Sequence, residues 1–183
     1  SFHGHISRNI LATDVLSLLK KKSGIRVIIL APAYKEDYFR NTFAGGNITI
    51  EGVTLHQASK TWLGLLFKRL GVFLFDSDTT RVKRRYLLYH YRKWLHFVFF
   101  SLAAFAGHSF LVRKFIRFLD IRFSPKGFFT ELINEYRPDL VFSTDIQNED
   151  EVRLMQDARV RGIPILGMVR SWDNMTQRAC RIF

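Results

Sequence analysis

Residues 60–126 constrain this chain most, because they form its most cationic and its most aromatic stretch at once. They hold 14 Lys and Arg against Asp76, Asp78 and Asp120, together with 16 of the 27 aromatic residues, while the rest of the chain carries 14 basic and 13 acidic residues. Of the net charge of +12, +11 belongs to this one segment. Arg81-Val82-Lys83-Arg84-Arg85 leads into Tyr86 to Tyr91 and then Arg92-Lys93-Trp94. An apolar run from Leu95 to Val112 follows, broken only by His96, Ser101, Gly107, His108 and Ser109. A spanning helix needs about 20 apolar residues, so this run is borderline.

Phe110 to Leu119 is clearer. At helical spacing Arg113, Lys114 and Arg117 share one face, and Leu111, Val112, Phe115, Ile116, Phe118 and Leu119 cover the rest. That is the pattern of a helix lying on an anionic bilayer surface. The expected membrane contacts are Arg84, Arg85, Arg92, Lys93, Trp94, Arg113, Lys114 and Arg117. The alternative is that these helices pack on a sheet, with aromatics in the core and cations solvated at the rim. Nucleic acid is not the expected partner, since no zinc-ligand set, RNP-type sequence or helix-turn-helix pattern accompanies the charge.

A chain of 183 residues with 48% hydrophobic and 24% charged content suffices for one domain with a core. The single Cys180 excludes an internal disulfide framework and a cysteine-based metal cluster, and it favours a reducing compartment. No metal site is expected. Ser1 to Ser7 lacks the basic-then-apolar order of a secretory signal, and the absence of an initial Met points to residues lost from the front.

Outside 60–126 the pattern alternates strand and helix. Arg26 to Ala31 reads as a buried parallel strand ended by Pro32, Tyr34 to Phe43 as a short helix, and Asn47 to Val53 as a second strand. Ser124-Pro125 opens a helix that runs to Tyr136, where Arg137-Pro138 stops it. Asp139 to Ser143 is the next strand. Asn148 with Glu151 reads as a capping box for a helix ending near Gly162, and Ile163 to Val169 as a final strand. Such alternation implies an α/β fold: a Rossmann-like parallel sheet flanked by helices, with the basic aromatic helical insertion at 60–126 inside a single domain over 1–183. Ligands of such sheets sit beyond the carboxyl ends of the strands. The loops expected at that edge are His3-Gly4-His5, Ala33-Tyr34-Lys35, Ser143-Thr144-Asp145 and Arg170-Ser171-Trp172-Asp173-Asn174.

The opening Phe2-His3-Gly4-His5 resembles a site more than a tail. Ser7 reads as the N-cap of a helix whose apolar stripe is Ile10, Leu11, Val15, Leu18 and Leu19 and which Gly24 closes. A loop before a helix start offers free N–H groups, and a histidine there can hold an anion or act as a general base.

Three elements together resemble glycosyltransferases of the two-Rossmann-domain (GT-B) type, in particular those of bacterial surface-polysaccharide biosynthesis. They are Gly4-His5 in a loop after a strand that would precede Ser1, Pro138-Asp139-Leu140-Val141 entering a strand, and Ser171-Trp172-Asp173-Asn174 after the last one. The resemblance implies an acceptor-binding N-terminal half, with the nucleotide-sugar donor held mainly by a C-terminal half beyond Phe183 and no further cofactor. It implies that His5, with His3 beside it, deprotonates the acceptor hydroxyl in an inverting displacement, and that Asp145 orients that histidine. The residues themselves read Asp145 more readily as a loop carboxylate near a helix cap. Gly4, Arg8, Arg170, Ser171, Trp172, Asp173 and Asn174 would line the substrate cleft, although Asp173 and Asn174 read also as helix caps. The implied partners are a glycan or lipid-linked acceptor, the nucleotide-sugar and the anionic inner face of the cell membrane, which makes the protein cytoplasmic and peripheral. A sugar-nucleotide epimerase, a glycerophosphate transferase and a non-enzymatic membrane- or nucleic-acid-binding module remain the alternatives.

Overall fold

The structure, a computed structural model, describes residues 9–55, 61–124 and 126–169. It is mixed α/β. Helix α1 (Asp14–Lys21) starts after Thr13, whose extended backbone is followed by Asp14 in the first turn, with Lys20 and Lys21 in the last, as the helix dipole favours. The stripe expected from a helix begun at Ser7 is corrected here: Leu11 and Leu16 are buried, whereas Val15 and Leu18 face solvent. The break at Thr13 resets the helical phase, so a stripe drawn across it points the wrong way. Ser7 itself lies outside the described residues.

Strands β1 (Val27–Pro32) and β2 (Ile48–Val53) pair in parallel from Val27 opposite Ile48 to Pro32 opposite Val53. A 3-10 turn, Ala33–Lys35, and α2 (Glu36–Phe43) make the crossover that a parallel pair requires. Their first core joins Leu11, Leu16, Ile29, Ala31, Phe39, Phe43, Ile48 and Ile50. Asn47 Nδ2 donates to the carbonyls of Leu19 (2.9 Å) and Ile25 (2.7 Å), tying α1 to the strand that follows.

Four helices come next: α3 (Trp62–Phe73), α4 (Asp78–Tyr89), α5 (Trp94–Ala106) and α6 (Phe110–Phe123). Thr61 caps α3, and Ser77 with Thr80 forms a reciprocal capping box on α4. Regular helix then resumes only at α7 (Thr130–Tyr136), later than Ser124-Pro125 led one to expect. The Asp157 carboxylate accepts the N–H groups of Gly127 (3.0 Å) and Phe129 (3.1 Å), which holds that approach as a loop. Arg137 ends α7 in the left-handed region at φ 43°, just before Pro138.

A second crossover unit closes the described chain: β3 (Val141–Ser143), α8 (Glu149–Val160) and β4 (Ile165–Gly167), with β3 and β4 parallel. Both βαβ units follow the expected order, with β3 and β4 shorter than anticipated. Among the described residues they form two separate two-stranded sheets rather than one broad sheet. Val53, Phe129 and Ile133, with Leu30, Leu154 and Ile163, form the cluster that packs one unit against the other. Across the same contact the Tyr136 hydroxyl donates to Glu51, and that bond to a carboxylate pushes the phenol up to about 12.

Candidate functional site

The four-helix module is built around a small aromatic core. Phe67, Phe73, Leu74, Phe100 and Ala104 are buried, and the Phe73 and Phe100 rings stack with centroids 4.1 Å apart. Gly107 makes the close approach possible: a Cβ there would lie 1.9 Å from the Leu74 carbonyl oxygen. Polar ties converge on Asp76. Arg84 donates to it at 2.6 Å, Arg81 lies at 3.6 Å, and His108 Nε2 is 4.0 Å away, while His108 Nδ1 faces the Ala104 carbonyl at 3.0 Å. The hydrogen bond from Arg84 holds the Asp76 carboxyl below its usual range.

Arg84 is therefore not a membrane contact, contrary to the sequence expectation. It is 7% exposed, and its charge is spent inside the module on Asp76. Its neighbour Arg85 is exposed, as are Arg92, Lys93 and Trp94, with Lys93 Nζ 5.5 Å from the Tyr91 ring centroid. On α6 the expected arrangement also shifts. Arg113 and Arg117 are half-buried on the side of Asp120, and the exposed stripe is Leu111, Lys114, Phe115, Phe118 and Arg122. The face turned outward is thus more apolar than a shared Arg113, Lys114 and Arg117 face would be.

Helix α5 carries the larger surprise. Of its 13 residues only Phe100 and Ala104 are buried. Leu95, Val98, Phe99, Leu102 and Phe105 lie along one exposed side, Phe105 at 80% exposure. None of its residues is charged. A helix apolar all round belongs in a core or in lipid, and the sequence carries that signal in the apolar run from Leu95. At roughly 1.5 Å per residue, α5 is only about 20 Å long. No single described helix is long and apolar enough to cross a membrane; α5 and α6 meet that test together but are bent by 116° at the break. The apolar run expected from Leu95 to Val112 is thus two helices, split where Gly107 meets Leu74.

At the carboxyl end of β3 the chain does the reverse and buries charge. Glu151 accepts from Ser143 Oγ (2.8 Å), Thr144 Oγ1 (2.9 Å) and the Asp145 N–H (2.8 Å). Asn148 caps α8 by accepting from Asp150 and Glu151, so the box is one-sided: the Glu151 side chain serves the β3 loop instead. Arg153, 1% exposed, donates to Glu149 at 2.8 Å and to Gln156 at 2.6 Å. The same Nη1 that donates to Gln156 lies 3.6 Å from Asp120 Oδ1, which moors the last turn of α6 to α8. Asp145 is buried and accepts the Gln147 N–H at 3.0 Å within its own loop. Sequence reasoning gave Glu151 only a capping role and missed Arg153 and Asp157. The only hint was a pair of hydroxyls, Ser143-Thr144, directly before an acid-rich helix start.

At the first crossover, Tyr34 is 78% exposed with Lys35 Nζ 5.6 Å from its ring centroid. His3, Gly4, His5, Arg8, Arg170, Ser171, Trp172, Asp173 and Asn174 lie outside the described residues. Among those described, no group of three or more His, Cys, Asp or Glu could hold a metal ion. Comparison with known proteins gives no match: no family model fits the chain, and no curated protein and no solved structure is significantly similar to it.

Proposed function

We propose that the chain is the membrane-bound, acceptor-side part of an inverting glycosyltransferase of the two-Rossmann-domain type, acting on a lipid-linked or surface glycan acceptor at the inner face of the cell membrane. The observation that carries the membrane part is the outward face of α5, where five large apolar side chains meet solvent on a helix directly preceded by the exposed cations Arg92 and Lys93. An exposed apolar stripe next to basic residues in the chain matches the boundary of an anionic bilayer. In this reading the two βαβ units belong to one Rossmann-like domain. His5 takes the proton of the acceptor hydroxyl as its oxygen attacks the anomeric carbon and the nucleoside diphosphate departs, and Asp145 orients the histidine. Arg8, Arg170, Ser171, Trp172, Asp173 and Asn174 contact the substrates.

Co-sedimentation tests the membrane part. Vesicles of phosphatidylcholine with phosphatidylglycerol should carry the chain down, pure phosphatidylcholine less so, and high salt should weaken binding only in part because the apolar contribution remains. Absence of binding to either vesicle removes this reading. His5→Ala in the complete enzyme should abolish transfer and leave vesicle binding unchanged; retained turnover removes the role of His5.

A further inference from the structure

Between α3 and α5 runs an open groove of about 450 Å³. Its floor and walls are Trp62 and Leu66 from α3 and Leu95, Phe99 and Phe100 from α5, so its surface is almost wholly apolar. Among the described residues that line it, Arg69 and His96 carry the ionisable groups, and both are exposed. The volume falls within the roughly 300–1,000 Å³ of ordinary small-ligand sites. Leu95 and Phe99 belong at once to this groove and to the outward apolar face of α5. The groove is therefore continuous with the surface proposed to meet lipid.

We infer that this groove binds the hydrocarbon chain of a phosphate-headed lipid, with the chain laid along Trp62, Leu66 and Phe99 and the phosphate held at the rim by Arg69, assisted by His96. Charge complementarity fixes the occupant. A neutral chain would leave the exposed Arg69 without a role, and a free phosphate would leave the apolar trough without one. A guanidinium is well suited to a phosphate because its donors can engage two oxygens together. The chain would enter sideways from the bilayer, since the groove opens beside the apolar stripe. The inference rests on the membrane reading above and adds to it the class of molecule bound.

The test uses the full chain and farnesyl phosphate kept below its aggregation concentration, followed by isothermal titration, with farnesol and inorganic phosphate as comparators. Saturable one-to-one binding of farnesyl phosphate is expected, with farnesol about tenfold weaker or more. Arg69→Ala should weaken farnesyl phosphate by about tenfold and leave farnesol unchanged. Leu66→Trp, which fills the trough, should remove binding of both. Co-sedimentation of these variants with anionic vesicles should persist, because the outward stripe is intact, weakened only by the groove's own share of phosphatidylglycerol binding. Equal affinity for farnesol and farnesyl phosphate, displacement of the lipid by inorganic phosphate alone, or binding that survives Leu66→Trp would each overturn the assignment. An unaltered chain that binds vesicles but no farnesyl phosphate condemns the groove alone; an unaltered chain that binds no vesicles condemns the membrane reading.

Discussion

Helices α5 and α8 treat their residues in opposite ways. In α8 nine of twelve residues are buried, and six of those nine are charged or amide side chains. In α5 thirteen residues without a single charge leave only Phe100 and Ala104 buried. In these two helices burial thus follows the local supply of partners rather than hydrophobicity. Glu151, Arg153 and Asp157 are enclosed because hydroxyls, backbone N–H groups and carboxylates stand ready around them, and a buried charge so satisfied is tolerated. The outward side of α5 has no such enclosure, and an exposed apolar patch of this kind marks an interaction surface. One helix encloses most of its charged side chains, and the other leaves its apolar side open to solvent.

The sharpest way to break the contrast is at Arg153. Arg153→Ala strands Glu149 and Asp120 in a buried site, and the expected loss is about 3–5 kcal/mol of stability, read by denaturant unfolding; a change below about 1 kcal/mol would mean that α8 is not held by its charges. At the other end, Leu95→Gln, Phe99→Gln and Leu102→Gln together should lower affinity for anionic vesicles by about a hundredfold. Since these side chains are exposed, the melting temperature should hold or rise, and a fall in it would place the stripe inside a core instead.

Gly107→Ala sharpens the comparison within the helical module. Its Cβ meets the Leu74 carbonyl, so the expected cost is about 1–3 kcal/mol, measured by thermal unfolding. Gly162→Ala, where φ is +71° and nothing lies within 4 Å of the added Cβ, should cost only the left-handed penalty of about 1–2 kcal/mol. The smallest effect belongs to Asp76. Its folded pKa is depressed by Arg84, so the stability it contributes is complete above the ordinary carboxylate value of about 3.9 and is lost as pH falls through the lower folded value. Asp76→Asn should flatten that acid limb in a series of melts, whereas parallel acid limbs would remove the pair from the account.

The alternation of strands and helices was legible because short β-branched runs bounded by Pro and polar caps carry their own signal. β1 and β2 fall within a residue of where Arg26 to Ala31 and Asn47 to Val53 put them. What stayed hidden depends on contacts distant in sequence. Nothing local separates Arg84 from Lys83 and Arg85; only Asp76, eight residues earlier, selects it for the interior. The split of the apolar run at Gly107 is set by the Leu74 carbonyl. An acid-rich helix such as α8 reads as solvated until the hydroxyls of Ser143 and Thr144 are seen to face Glu151. The histidine loop and the Ser-Trp-Asp-Asn motif, on which the catalytic proposal depends, fall outside the described residues, so their expected roles stand as proposals for kinetics.

The central claim, that the α5 face enters lipid while the α8 end stays in water, is tested most directly by spin labels. With Cys180→Ser as background, labels at Leu102→Cys on α5 and Val160→Cys at the end of α8, both exposed in the free protein, report access to oxygen and to a water-soluble nickel complex. Added anionic vesicles should make the Leu102 label accessible to oxygen and shielded from nickel, and leave the Val160 label unchanged. A Leu102 label that remains as open to nickel as before, with the protein bound to the vesicles, would contradict the account.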